Sequence, residues 1–448
     1  VRGGRWQILF LTVAAFATRF AFLTYPSEVV FDETHFGTFV SAYFTHEYYF
    51  DIHPPLGKVL IAAFAWLFGF RGGETFAHIG DAVHPHALFA LRFLPALFGA
   101  LVVPLLFAFI VAVSGSRRAA LIGSSFVLFD NAFLVQSRFT LLDLTLVFFG
   151  ILALTLAAHA FRSPLRSFRR LALFSLAAIA SACAFSVKWT GLSFLGLIAV
   201  AYGVDVLRRR DVRELLLVAA IFLLIPAFFY LAIFALHFAL LTHPGPGDAF
   251  MSASFQAGLS GKGVPPTFLE KFVELNRVMW SSSAYLRATH PYGSRWYEWP
   301  FMVKPIWYWT KTEETSTANI FFVGNPMVWW SAAASLLVLA FGYAFRKPWV
   351  RALPEVTPML LLGYAANLLP FLFITRVSFL YHYLPALVFG IVIASFLCDR
   401  FLSLLPNASR LTVVLISIVG FVFLAIAPLT YGIPLPPSFA SFLFRLVS

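Results

Sequence analysis

Apolar runs close to the roughly 20 residues needed to cross a bilayer recur along the chain, and they constrain the fold before any motif is considered. Residues 6–25, 88–113, 119–136, 140–161, 171–187, 190–206, 215–240, 326–345, 357–375, 379–398 and 411–431 are read as eleven transmembrane helices. Hydrophobic residues make up 60% of the chain and charged residues 12%, against about 25% charged in soluble domains. The expected fold class is an all-α polytopic membrane protein, with residues 1–448 forming one integral membrane domain. The first run lacks a small-residue cleavage site and is expected to be a retained span rather than a removed signal. Cys183 and Cys398 both lie in apolar runs, which suits small core residues rather than a disulfide or a metal site.

The net charge of +12 would suit nucleic acid if it formed a patch, but its placement excludes that partner. Alternate connections between the spans carry 17 basic residues, among them Arg117, Arg162, Arg208, Arg346 and Arg400, against five acids. The rest of the chain balances 15 basic residues with 15 acidic ones. One side of the bilayer therefore holds the whole excess, as the positive-inside bias requires. The partition predicts a cytoplasmic amino terminus and an extracytoplasmic carboxyl terminus.

Two connections on the less basic side are long, residues 26–87 and 241–325, and long loops of this kind carry function. The first contains Val59–Phe70, too short to span and expected to lie as a helix in the interface. The second begins at His243 with a Pro/Gly-rich turn, passes an expected amphipathic helix near Phe268–Leu286, and ends in two Trp-rich runs. Those Trp and Tyr side chains suit an interfacial anchor better than a sugar-binding surface. Residues 326–448 form a four-helix transmembrane segment that closes the chain.

The charges in the first loop need an explanation, because only 20 acids occur in 448 residues. Phe31-Asp32-Glu33-Thr34-His35-Phe36-Gly37 follows the first span directly, and Asp51-Ile52-His53-Pro54-Pro55-Leu56-Gly57-Lys58 comes soon after. A charge near hydrocarbon costs about 2.5–3.5 kcal/mol even on the lenient insertion scale. Water exclusion and a like-charged neighbour would raise one carboxyl toward working pH, which makes Asp32 and Glu33 candidate bases. Asp32, Glu33, His35, Asp51 and His53 also raise a Mn²⁺ or Zn²⁺ site. No helical HxxxH spacing supports it, so no cofactor is assigned and a divalent metal is kept as an unsupported alternative. Cations near the same face are few: Arg19 late in the first span, Arg138 between the third and fourth, and Lys188 between the fifth and sixth. An arginine there can hold phosphate oxygens in a fork and a lysine can add a point charge. Snorkelling, or a structural Arg138–Asp143 pair, is the alternative. Tyr381-His382-Tyr383 stands at the start of the tenth span, placed for hydrogen bonds to phosphate or sugar or for an aromatic belt.

Taken together, these segments resemble the protein O-mannosyltransferases. The resemblance covers the first loop, the stretches around Arg138 and Lys188, Asp248-Ala-Phe-Met-Ser, the run from His290 to Pro300, and Tyr381-His382-Tyr383. It implies the GT-C glycosyltransferase architecture. It also implies transfer of mannose from a polyprenyl-phosphate-mannose donor to Ser or Thr of an acceptor protein, on the outer face of the membrane and with inversion. The Asp-Glu pair is that family's functional centre, so the resemblance favours Asp32 as base with Glu33 positioning it. Arg19, Asp51, His53, Lys58, Arg138, Lys188, Tyr381 and His382 are expected around the donor and its phosphate. The second loop is too short for the β-trefoil MIR domain of eukaryotic members, which points to a prokaryotic enzyme of the cytoplasmic membrane. Whether the chain works as a monomer or a dimer is left open. Two rivals are a transferase moving a sugar such as aminoarabinose to lipid A, and a transporter. A transporter should place charges at mid-membrane on paired half-repeats, whereas here they gather at one face.

Overall fold

The computed structural model describes residues 2–285 and 289–447. Helix α1 (Arg2–Phe20) leads into the first long connection, which contains α2 (Glu33–Thr45) and α3 (Leu56–Leu67). Then come α4 (Pro85–Ser114), α5 (Arg117–Leu128), α6 (Asn131–Arg138), α7 (Asp143–Phe161), α8 (Phe168–Val187), α9 (Leu192–Arg209) and α10 (Val212–Leu240). The second long connection holds α11 (Ala253–Leu259), α12 (Phe268–Tyr285) and the strands β1 (Ile306–Thr312) and β2 (Thr317–Phe322). The chain closes with α13 (Pro326–Ala344), α14 (Thr357–Leu368), α15 (Leu384–Leu402), α16 (Ala408–Ile426), the short α17 (Pro428–Tyr431) and α18 (Pro437–Val447).

Every expected span coincides with a helix or a helix pair, and the protein is a multi-pass membrane protein. Among the described residues eight helices are long and apolar enough to cross a bilayer. The pair α5 and α6, bent by 57°, makes a ninth as one broken span. The apolar parts of α1 and of the α14 region, Trp6–Phe20 and Thr357–Leu372, are shorter. Length and composition therefore carry eight or nine crossings, fewer than the eleven expected.

The break between α5 and α6 has a chemical cause. Asp130 caps α6 by accepting the Phe133 N–H at 3.0 Å. Its second oxygen accepts the Asn325 N–H and the Trp329 Nε1–H, both at 2.9 Å. A buried carboxylate thus satisfies open donors at the starts of two helices and ties α6 to α13. Close approach between α4 and α6 relies on Gly99, where a Cβ would stand 2.2 Å from Ser137 Cβ. Helix α15 runs through the centre, buried along almost its whole length against α5, α13 and α14. At the basic end, buried Arg170 pairs with Glu214 and, at 2.9 Å, with Asp205, which clamps α8, α9 and α10 together.

The two long connections dock on each other. The Tyr48 N–H donates to the His243 carbonyl at 2.9 Å, and the Gly247 N–H to the Tyr48 carbonyl at 3.2 Å. A Cβ at Gly247 would lie 2.0 Å from Phe50 N, so glycine is what lets the backbones meet. Helix α3 is a short apolar helix at the expected place, with Trp66 and Leu67 exposed. Helix α12 matches the expected amphipathic helix, whose last residue, Leu286, lies outside the described residues. Two elements depart from the all-α expectation or were not foreseen. Residues 306–322 form an antiparallel hairpin, in register from Ile306 opposite Phe322 with an irregularity between Trp307 and Trp309. The terminal α18 packs Phe444 against Phe321 of that hairpin, ring centroids 4.4 Å apart.

Candidate active site

The acidic motif sits where α2 begins, and its two carboxylates live in different environments. Phe31 turns the chain with a positive φ of 47°, a conformation uncommon for a bulky residue. It is held there from the hairpin: its ring stacks on Tyr308 at 4.0 Å and its N–H donates to the Tyr308 carbonyl at 3.1 Å. Glu33, the first residue of α2, is directed inward and has no exposed surface. Its carboxylate accepts Arg92 Nε and Nη2 at 2.8 and 2.7 Å. It also accepts the Thr140 N–H and hydroxyl at 2.9 and 3.0 Å and the Val30 N–H at 3.0 Å. The remaining Arg92 donors reach the carbonyls of Leu23, Pro26 and Glu28 at 3.0–3.2 Å. Every donor of the guanidinium is used, and a buried charge pair of this completeness fixes one geometry.

Asp32 is the opposite case. It keeps part of its surface open, and no protein hydrogen bond reaches its side chain among the described residues. Burial pushes its carboxyl up from the usual 3.8 to about 6; the charges of His35 and Lys188 oppose the shift, and those of Asp143 and Asp51 add to it. The result is a free carboxylate poised near neutral pH, which is what a general base requires.

Around it the fold gathers several expected residues and holds them in pairs. Lys188, at the end of α8, donates to Asp143 at 2.8 Å. The other Asp143 oxygen accepts Gln136 at 2.7 Å, and Gln136 accepts the Tyr308 hydroxyl at 2.8 Å. The ammonium of Lys188 lies 5.5 Å from the Tyr381 ring centre. In the second half of the motif Lys58 pairs with Asp51 and donates to the His53 carbonyl at 2.8 Å. Burial, then the charges of Lys188, Arg376, Lys58 and His382, holds the His53 imidazole well below its ordinary value, so it is neutral at pH 7. His382 stacks between Tyr381, at 4.6 Å, and Trp299, at 5.9 Å.

Three of the expected residues are engaged by the protein itself. Arg19 is fully buried and donates to the carbonyls of Leu128 and Val127, both at 2.8 Å. Arg138 is fully buried too, donating to the carbonyls of Phe22 and Thr430 at 2.7 and 3.3 Å with its guanidinium 4.4 Å from the Tyr431 ring centre. Neither presents a free fork to a phosphate, and Arg138 does not pair with Asp143, which belongs to Lys188. Both Glu33 oxygens are already occupied, which suits the positioning role that the resemblance implies. At the Trp-rich end of the second loop Trp299, Tyr308 and Trp309 are buried, Trp296 and Trp307 are half-buried and Tyr297 is exposed. Among the described residues no three His, Cys, Asp or Glu side chains converge as metal ligands.

Sequence reasoning passed over Arg92 and Arg376. Arg92 was visible as the lone charge within the long apolar run of α4, a placement that signals a function or a partner. Arg376 stands five residues before Tyr381. It is half-buried, its Nε lacks a partner among the described residues, and burial lowers its pKa while Tyr381 and Asp51 oppose the shift. It lines a cavity of about 480 Å³ with His290, Ser294 and Lys304. The backbone joins these walls, since the Ser294 N–H donates to the Ser378 carbonyl at 2.8 Å.

Comparison with known proteins follows the same lines. Residues 9–242 match the family described as dolichyl-phosphate-mannose-protein mannosyltransferase, and residues 268–443 match the C-terminal four-transmembrane region of protein O-mannosyltransferase. The chain is 36% identical over 266 residues to protein O-mannosyltransferase 1 of Drosophila pseudoobscura, covering 57% of this chain and 29% of that protein. It is 37% identical over 268 residues to dolichyl-phosphate-mannose–protein mannosyltransferase 4 of Candida albicans, covering 56% and 35%. The alignments thus span about a third of those relatives' length. The fold resembles the S. cerevisiae protein O-mannosyltransferase Pmt1-Pmt2 complex bound to the sugar donor, with a TM-score of 0.88 at 19% identity over 96% of this chain and 90% of that one. The ArnT of Cupriavidus metallidurans bound to undecaprenyl phosphate matches with a TM-score of 0.56 at 16% identity, over 92% and 62%. With one matched region covering more than half of the chain and a second most of the remainder, on a GT-C fold, the chain belongs to the protein O-mannosyltransferase family.

Proposed function

We propose that this protein transfers mannose from a polyprenyl-phosphate-mannose donor to Ser or Thr hydroxyls of an acceptor protein. The observation that carries the reading is the contrast between the two adjacent acids: Glu33 saturated and rigid, Asp32 free and raised to about 6. In the reaction the acceptor oxygen attacks the anomeric carbon from the face opposite the phosphate, and its proton passes to Asp32. The bond from that carbon to the phosphate oxygen breaks, and the polyprenyl phosphate leaves as an anion. Lys188 and Arg376 supply positive charge for that anion, with Tyr381, His382 and neutral His53 as further hydrogen-bonding partners. The Lys58–Asp51 pair fixes the loop that presents His53. Because Glu33 holds Arg92 and Thr140, the backbone that aims Asp32 keeps one conformation.

The charge partition supports an active site on the extracytoplasmic side with the amino-terminal end inside, and the short second loop supports a prokaryotic cytoplasmic membrane. The yeast relative is a two-chain complex by its description, so a dimer belongs to the same proposal. Transfer of aminoarabinose to lipid A is disfavoured, because the family matches are to protein-directed enzymes and the ArnT likeness is one of fold. The test is purified protein in liposomes with radiolabelled polyprenyl-phosphate-mannose and a Ser/Thr-rich peptide. Label should move to the peptide and be released by mild alkali. Label that reaches lipid A in place of peptide, or that stays on the carrier, overturns the reading.

A further inference from the structure

Beside the acidic motif, two recesses of about 540 and 590 Å³ run together along α2. The first starts at Thr34 and His35, two and three residues after Asp32 in the chain. The second ends at Phe50 and Phe250, whose rings stack at 4.5 Å. They share Thr38, Phe39, Phe76 and Ala77, so they form one trough. Its floor is the face of α2 that repeats through His35, Thr38, Ser41 and Thr45, and its far wall is the 73–79 segment. That wall is pinned because the Phe76 ring packs on Gly37, where a Cβ would stand 2.4 Å from the ring edge.

The chemistry of the trough is neither that of a prenyl groove nor that of a phosphate site. Glu47 and Glu74 line it, and no Lys or Arg does. The Ser41 hydroxyl, on the α2 side of the second recess, has no partner among the described residues. With Thr38 and Thr45 on the same helix face, it suits a ligand that carries hydrogen-bonding groups along its length. From His35 to Thr45 the helix rises about 15 Å at ~1.5 Å per residue, room for four or five residues of extended chain at about 3.3 Å each.

We propose that this trough binds the acceptor as an extended polypeptide, with its Ser or Thr hydroxyl at the Asp32 end and a cationic residue beside Glu47 and Glu74. The proposal rests on the transferase reading and adds where the acceptor lies and which flanking charge is preferred. Peptide main-chain groups meet the hydroxyls of Thr38, Ser41 and Thr45, and Phe39, Phe50 and Phe250 cover the side chains. Two carboxylates without a paired cation among the described residues favour a positively charged neighbour and repel an acidic one.

Steady-state kinetics on the full-length protein in liposomes test it, with one Thr peptide flanked by Lys and the same peptide flanked by Glu. Glu47→Lys/Glu74→Lys should raise KM for the Lys-flanked peptide about tenfold and lower it for the Glu-flanked one. The KM for polyprenyl-phosphate-mannose and kcat at saturating peptide should stay within about twofold. Unchanged KM for both peptides, with the wild type active, overturns the trough and leaves the transferase reading standing. A second readout does not depend on turnover. Benzoylphenylalanine at exposed position Thr38, without donor, should capture the Lys-flanked peptide, and the same probe at exposed Val264 should not. No capture at Thr38, or equal capture at both positions, overturns the proposal. If wild-type protein moves no mannose to either peptide the transferase reading fails by itself, and selective capture at Thr38 still supports a peptide trough.

Discussion

Arg92 grips both oxygens of Glu33 from 59 residues away, at 2.8 and 2.7 Å, with neither side chain reaching solvent. One residue earlier, Asp32 has no such partner. The acidic pair therefore divides into an anchor and a reactive group, and each half of that division can be measured.

The anchor predicts a stability effect. Removing one member of a buried ion pair leaves the other charge without compensation, at about 3–5 kcal/mol. Arg92→Ala should lower the thermal midpoint in detergent sharply. Glu33→Ala combined with Arg92→Ala should cost much less than the sum of the single changes. Additive losses would mean that the two side chains do not act as a unit.

Arg19 and Arg138 lead to a related expectation. Each guanidinium satisfies carbonyls left open where helices end or break, so Arg138→Ala should fail in folding and membrane yield before it fails in chemistry. Arg138→Lys, keeping charge but losing the fork, should rescue little of that stability. A well-folded Arg138→Ala protein with a raised KM for the donor would return this residue to the phosphate site.

Arg376 takes over that role. Arg376→Ala should raise KM for polyprenyl-phosphate-mannose by about tenfold or more, a change of about 1.4 kcal/mol. Arg376→Lys should recover part of the loss, and the thermal midpoint should move little because the guanidinium holds no hydrogen bond among the described residues. An unchanged donor KM in Arg376→Ala would leave Lys188 as the main cation.

These residues show what the sequence makes legible. Hydropathy placed a helix at each expected span because a helix crossing hydrocarbon must be apolar for its whole length, though only eight or nine of them are long and apolar enough to cross. The motif at Asp32 stood out because its charges sit where charge is costly. Arg19, Arg138 and Lys188 looked alike in one dimension, as cations near a membrane face. What separates them is the partner each meets across the fold, and those partners are 45 to 292 residues distant. The hairpin at Ile306–Phe322 was hidden for a similar reason. Its Trp-rich strand reads as an interfacial anchor until Tyr308 is seen stacked under Phe31, which is what holds the turn before Asp32. The contrast between Asp32 and Glu33 was not readable either, because adjacent carboxylates differ only in the direction in which the start of a helix sends them.

The last expectation joins the rate and the stability of the protein through Asp32. As a base Asp32 must be ionised, so kcat/KM should fall with decreasing pH through an apparent pKa near 6. Asp32→Asn should lose about 10²–10⁴-fold in rate while still binding the donor. The stability effect has the opposite sign. The folded-state value lies above the ordinary 3.8, so this group favours folding below about pH 4, and that contribution is lost as pH rises through about 6. At neutral pH the ionised carboxylate is a cost that the amide removes, so Asp32→Asn should melt at or above the wild-type temperature at pH 7.5, with the gap closing toward pH 4. Melting curves across that range, set beside single-turnover transfer rates, test both signs in one variant. A mutant that loses activity together with a lowered midpoint would make Asp32 a structural residue and leave Asp51 as the remaining candidate base.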